Sequence, residues 1–220
     1  LTTKDKIKKN IYNDIAASWY NLRHWTRFRR ELGDIADSWS GGKLLNIGCA
    51  HGPDFLPFAG KFELWGLDSS IQMVRMAVKY ADKFNFEVNL IAGDATALPF
   101  KSQSFDYAVA VAIYHHIQHR YLRKRAFMEL RRILKPGGEV FITVWNRWQI
   151  RFWNRGKEVF IPWKSKESEL FRYFYLYTYS ELETLLRKTG FKVLKSFPEY
   201  DYGFPMKFFS QNICILAKAD

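Results

Sequence analysis

The run KLLNI (residues 43–47) breaks directly into GCAHG (48–52), and this junction restricts the fold more than any other feature of the 220-residue chain. Its aliphatic residues lack polar alternation, which marks a strand buried on both faces in the middle of a parallel sheet. Glycines at its end let the backbone turn tightly and pass close to a ligand at the carboxyl edge of that sheet. Parallel neighbours need crossover connections, so the strand demands a chain in which strands and helices alternate.

The remaining sequence meets that demand. FELWGL (62–67) predicts a second strand, and residues 71–83 a helix whose start carries Ser69 and Gln72 at capping-box spacing. Strands are predicted at 86–92 and 107–113, then a helix at 120–134 that buries Leu122, Ala126, Leu130 and Ile133, then a fifth strand at 139–145. Lys135-Pro136-Gly137-Gly138 reads as the turn that stops this helix. Before the first strand, residues 4–39 read as two helices with a break near 21–26. Ile7, Ile11, Ile15 and Trp19 recur at four-residue intervals, as do Phe28, Leu32, Ile35 or Ala36, and Trp39. Near the other end, a helix begun by Ser180 and Glu183 and closed by Gly190 precedes strands at 191–197 and 212–218 with no helix between them, which should pair antiparallel. The expected architecture is one α/β domain over residues 1–220, a Rossmann-like doubly wound seven-stranded sheet ending in an antiparallel hairpin.

Such sheets bind nucleotides where the first strand ends. Gly48 and Gly52 alone are a weak signal, since an ordinary tight turn uses the same residues. Asp68 strengthens it: an acid closing the second strand, about 20 residues beyond the first glycine, is placed to accept hydrogen bonds from both ribose hydroxyls. Together these elements resemble the class I S-adenosylmethionine-dependent methyltransferases from residue 44 onward. GDATALPF (93–100) stands where that family places an acid and a small residue against the adenine edge, implying contacts from Asp94 and Ala95. LKPGG (134–138) matches the turn before the family's fifth strand, and the closing hairpin separates these enzymes from NAD-dependent ones. The resemblance implies S-adenosylmethionine as cofactor, held by Asn46, Gly48, Cys49, Ala50, Gly52, Asp68, Ser69, Asp94, Ala95 and Val111. The family usually has an acid at Asn46 and glycine at Ala50. Asn46 cannot supply a carboxylate to the cofactor's positive end, and Ala50 is disfavoured if its φ is positive.

Four further segments are together similar to the tRNA wobble-uridine methyltransferases, which esterify 5-carboxymethyluridine: YNDIAASWYNLRHW (12–25), AIYHHIQHRYLRKRA (112–126), TVWN (143–146) and RYFYLYTYSELETLL (172–186). Leu22 replaces the threonine usual before the family's arginine, here Arg23, and Tyr175 stands where histidine is frequent. A carboxylate with pKa about 4 is already ionised at neutral pH, so its methylation needs aim rather than a general base. Arg23, His115, His116 and Arg172 are the candidate residues for holding it. One histidine is expected to face the pocket while its neighbour packs or caps.

Residues 146–179 read as an aromatic and basic insertion over the active site. From 147 to 179 there are eleven aromatics and seven Lys or Arg against three Glu, a mixture that can stack a base and track phosphates. Trp148, Phe152, Trp153 and Trp163 are expected to be partly buried. Arg120, Arg123, Arg125, Arg131 and Arg132 of the fourth helix, with the basic first helix, can extend a tRNA surface or simply be a solvated face. The net charge of +12 suits a polyanionic partner and equally suits solubility. Two other readings stay open: a small-molecule methyltransferase, and a catalytically silent subunit that binds RNA or a partner.

Eukaryotic and archaeal members of the tRNA family work with a small zinc-binding activator that adds a strand to the sheet edge. Here that edge is expected at residues 84–90, where Phe84, Phe86, Val88 and Leu90 are apolar; a helix of the same chain over this edge would give the same pattern. Only Cys49 and Cys214 occur, without zinc or disulfide spacing, which fits a cytoplasmic protein. No apolar run approaches the ~20 residues that span a bilayer. The chain starts at Leu1, so an initiator residue or short leader is expected to precede it.

Overall fold

Buried aliphatics fix the centre of the molecule in the computed structural model, which describes residues 11–164 and 169–220. Strand β1 (Gly42–Ile47) runs parallel between β2 (Phe62–Asp68) and β4 (Phe105–Val111). Beyond them lie β3 (Asn89–Ala92), paired to β2, and β5 (Leu134–Trp145), paired to β4. The antiparallel β9 (Asn212–Ala219) sits between β5 and β8 (Phe191–Pro198). The order β3-β2-β1-β4-β5-β9-β8 gives the expected seven strands and closing hairpin. It reverses direction at the β1/β4 pair, which opens a crevice at the carboxyl ends of those strands.

Side chains of β1 alternate between two cores, as the period of a strand requires. Leu45 and Ile47 meet α4 (Arg120–Ile133) through Ala126, Phe127 and Leu130, and the same core takes in Leu182 and Leu186 of α5 (Tyr179–Lys188). On the other face, Leu44 packs in a core with Leu32, Ile35 and Ala36 of α2 (Arg29–Ser38) and with Phe55 and Phe58 of a short 3-10 helix, Pro53–Phe58. Helix α1 (Ile11–Leu22) rests Ile11, Ile15 and Ala16 on Met73 of α3 (Ile71–Phe84). Ile7 and the start expected for the first helix lie outside the described residues.

Several local expectations are corrected. The cap of α3 is Ser70, whose Oγ accepts from Met73 N at 3.1 Å, rather than Ser69. The cap of α5 is Thr178, which accepts from Glu181 N, rather than Ser180. In both cases hydroxyl residues one or two positions apart offer the same spacing, and tertiary contacts choose between them. Strand β3 is four residues long rather than seven, because Asn85 closes α3 in the left-handed region (φ 53°) and the chain rejoins the sheet only at Asn89. LKPGG is not a separate turn: helix α4 passes straight into β5, where Leu134 pairs with Phe105 and a bulge takes up the glycines. Within α4, Leu122 is only half-buried, while Arg123 and Phe127 are buried.

The main addition is a separate two-stranded antiparallel sheet, β6 (Glu158–Lys164) and β7 (Glu169–Tyr175), within the aromatic and basic insertion expected at 146–179. Aromatics on both faces hide the period-two signal there: Phe160 pairs with Tyr173, and Ile161 with Arg172. Phe152 is buried and Trp163 half-buried, but Trp148 and Trp153 stand at the surface.

Candidate active site

A cavity of about 430 Å³ opens in the crevice. On one side it is built by the turn after β1. Gly48 has φ 70°, and a Cβ there would come 2.5 Å from Ile113 Cδ1, so the close approach of backbone requires glycine. Ala50 is itself left-handed at φ 48° and donates its N–H to Asp68 Oδ2 at 2.9 Å. Asp68 Oδ1 accepts from Ser70 N at 2.8 Å. Burial raises the Asp68 carboxyl above its ordinary range, opposed by these backbone donors.

Of the residues expected around a cofactor, Gly48, Ala50, Asp68, Ser69, Asp94, Ala95 and Val111 line this cavity. Asn46, Cys49 and Gly52 are outside its lining. The Cys49 thiol is buried beside Gly66 in the α2-side core, and Gly52, with φ 97°, turns the chain into the 3-10 helix. Asn46 is fully buried, and both polar atoms of its amide lack hydrogen-bond partners. Asp94 Oδ1 accepts from the backbone and hydroxyl of Thr96, closing the turn after β3.

The opposite wall comes from β4, β7 and α1, and it brings Arg23, His115, His116 and Arg172 to the same cavity. The two histidines have different jobs. His116 Nδ1 lies 2.9 Å from the Tyr173 carbonyl and must donate to it, which leaves Nε2 to accept from the Tyr12 hydroxyl, also at 2.9 Å. Burial pushes His116 down to about 4, so the neutral ring ties α1 to β7 across the site. In His115, Nδ1 accepts from Trp145 N at 3.0 Å, which puts the proton on Nε2. Burial holds His115 well below its ordinary pKa, and Nε2 has no hydrogen-bond partner among the described residues.

Arg172 is 8% exposed and has no carboxylate partner among the described residues; its Nε is buried without any acceptor. Its guanidinium is enclosed by rings instead: Trp163 at 5.0 Å, Phe174 at 5.4 Å and Trp19 at 5.7 Å. Trp19 and Trp163 stack on each other at 5.3 Å, and Arg23 lies 4.5 Å over Trp19. Burial, then the charges of Arg27 and Arg172, lower the pKa of Arg23. Aromatic faces recover part of the energy of a buried cation, but they do not replace a counter-ion.

Tyr12, His51 and Asp54 are among the lining residues that the sequence does not single out. The Tyr12 bond to His116 spans 104 positions, beyond any local signal. His51 is fully buried against Tyr20 and Tyr80, and burial, opposed by the Arg23 backbone, brings it down to about 4. Asp54 is buried near Thr26 and pushed up to about 6. The arginines of α4, expected to face outward, divide. Arg123 is buried 3.6 Å over the Tyr175 ring, Arg131 bonds Gly190 and Asp220 carbonyls, and Arg132 pairs with Glu129 at 2.7 Å; only Arg120 and Arg125 are exposed.

Known proteins share this framework. A family profile described as a methyltransferase domain matches residues 44–138. A putative methyltransferase of Encephalitozoon cuniculi is 32% identical over 178 residues, covering 78% of this chain and 80% of its own length. A tRNA (carboxymethyluridine(34)-5-O)-methyltransferase of Mus musculus is 30% identical over 147 residues, which are 66% of this chain but only 21% of that protein. The solved structure of an S-adenosylmethionine-dependent methyltransferase from Clostridium acetobutylicum superposes with a TM-score of 0.72 at 16% identity, covering 94% of this chain and 98% of the other. A putative methyltransferase solved in complex with the Haloferax volcanii Trm112 methyltransferase activator gives 0.69 at 18% identity, over 94% and 97% of the two chains. The fold, the cavity at its switch point and these relatives lead to one conclusion: the chain belongs to the class I S-adenosylmethionine-dependent methyltransferases and resembles their tRNA wobble-uridine branch.

Proposed function

We propose that this methyltransferase esterifies the carboxylate of 5-carboxymethyluridine at the wobble position of tRNA. The observation that carries the reading is Arg172, a buried guanidinium whose Nε lacks an acceptor and which has no carboxylate partner among the described residues, beside His115, whose Nδ1 accepts from Trp145 N and leaves Nε2 as the donor, with no hydrogen-bond partner among the described residues. An unpaired buried cation is costly, and a ligand carboxylate is the group that offsets that cost. The tRNA methyltransferase relatives support the same substrate.

The turn after β1 suits the cofactor: Gly48 and Asp68 line the cavity, and Asp68 keeps acceptor capacity beside its bonds to the backbone of Ala50, Ser70 and Ser69. Gly48, Ala50, Asp68, Ser69, Asp94, Ala95 and Val111 would hold S-adenosylmethionine, and Asn46, Cys49 and Gly52 would shape the turn from behind. When bound, the cofactor supplies the methyl group. Arg172 and the His115 Nε2–H fix the substrate carboxylate by charge-assisted hydrogen bonds, and Arg23 adds positive potential at the entrance. His116 holds Tyr12 and, through it, α1 over the site, so it is a positioning residue rather than a donor to substrate. No proton needs to be removed, which agrees with two histidines kept neutral by burial.

The small activator protein of this branch would meet β3, a four-residue edge strand, in place of the longer edge expected at 84–90. Phe86, Val88 and Leu90 already pack against the α2-side core, leaving mainly backbone groups for such pairing.

Incubation with methyl-labelled cofactor and tRNA carrying free 5-carboxymethyluridine should label one nucleoside, released as methanol by mild alkali. Label on another nucleoside, or none with or without an activator, overturns the substrate assignment.

A further inference from the structure

Next to the cavity lies a second, open groove lined by Leu22, Arg23, His24, Trp25, Arg27 and Trp163. It is continuous with the first, because Arg23, Trp25 and Arg27 line both. Trp25 is 58% exposed and is held from one side by edge contacts to His24 at 5.3 Å and Phe84 at 5.5 Å. Lys83 donates to His24 Nε2 at 2.9 Å on the same side. Neither Arg23, Arg27 nor Lys83 forms an ion pair among the described residues, whereas acids elsewhere take up Arg132, Arg187 and Lys135. The groove therefore offers a fixed aromatic ring flanked by uncompensated cations.

We infer that this groove is a second nucleotide site, taking the residue next to the one whose base enters the cavity: its base stacks on Trp25 and its phosphate lies between Arg27 and Arg23. This rests on the RNA substrate proposed above. A flat aromatic ring beside unpaired guanidinium groups matches a single-stranded nucleotide, because every base presents a π-face and every linkage a negative charge. An acidic peptide would satisfy the cations and leave the exposed indole uncovered. The basic face of α4 competes poorly for the same role, since three of its five arginines are engaged within the protein.

The test uses the intact protein, a labelled single-stranded oligouridylate and the exposed-site variants Trp25→Ala and Arg27→Glu, with melting temperatures measured alongside. Oligouridylate affinity should fall roughly 10-fold in either variant, the size of one base–aromatic stack. In Arg27→Glu the slope of log affinity against log salt should also shrink by about one. Polyglutamate displacing the RNA at equal charge concentration, or wild-type affinity in both folded variants, overturns the inference. In methylation assays the ratio of kcat/KM for a trinucleotide to that for the isolated nucleoside should drop by a similar factor. A wild-type protein that binds oligouridylate through this groove but esterifies no carboxymethyluridine refutes only the substrate reading. Normal methylation with an unchanged ratio in both variants refutes only the groove.

Discussion

The two walls of the cavity are built on opposite electrostatic terms. On the cofactor side, each oxygen of Asp68 already accepts a backbone N–H, so its charge is compensated before any ligand arrives. On the opposite side, Arg172 is as deeply buried, yet no acid pairs with it among the described residues and aromatic rings enclose it. The first wall is electrostatically complete by itself; the second, on the function proposed above, is completed by an anionic substrate. Under the proposed assignments, one fold holds its cofactor with groups that also stabilise it and its substrate with a group that destabilises it.

Arg172→Met is the sharpest way to break this contrast. Removing half of a desolvated carboxylate–guanidinium pair costs ~2–5 kcal/mol, so kcat/KM should fall by at least roughly 30-fold. Thermal unfolding of the ligand-free variant should not drop, because an unpaired buried charge has been replaced by an apolar chain of similar length. A lower melting temperature, together with retained activity, would place Arg172 in the framework instead. Asp68→Asn should act the other way: cofactor affinity measured by calorimetry falls by roughly 10- to 100-fold through loss of charge-assisted bonds, and the melting temperature falls with it. Ala50→Gly gives the smallest change. Relief of the left-handed φ is worth ~1 kcal/mol, partly offset by the entropy of glycine, so the melting temperature should rise by about 2 °C and cofactor binding should hold or tighten.

The walls also differ in how far they could be read in advance. Asp68 and Gly48 lie at fixed distances along one βα unit, so their roles follow from spacing within a short stretch of sequence. Arg172 is singled out only by resemblance, and nothing local distinguishes it from the six other basic residues of its segment. Its isolation depends on β6 and β7, whose aromatics on both faces leave no alternating polar signal in the sequence. The division of labour between His115 and His116 depended on partners 30, 57 and 104 positions away. Capping was misplaced by one residue at Ser70 and two at Thr178, where neighbouring hydroxyls compete and tertiary contacts decide. Burial of Arg123 against Tyr175 was likewise invisible, since a helix pattern reports polarity but not a distant ring.

The position of β9 sets an order of events during synthesis. This strand is wedged between β5 and β8, yet its residues, Asn212–Ala219, leave the ribosome after every other element of the sheet. Until they emerge, β5 has an open flank carrying Phe141, Ile142 and Val144, and β8 has no partner among the described strands. Such an unpaired edge invites pairing with other chains. The nascent protein can therefore shape the turn proposed to cradle its cofactor well before its sheet is closed, and early cofactor capture there would stabilise the half-built domain during that interval.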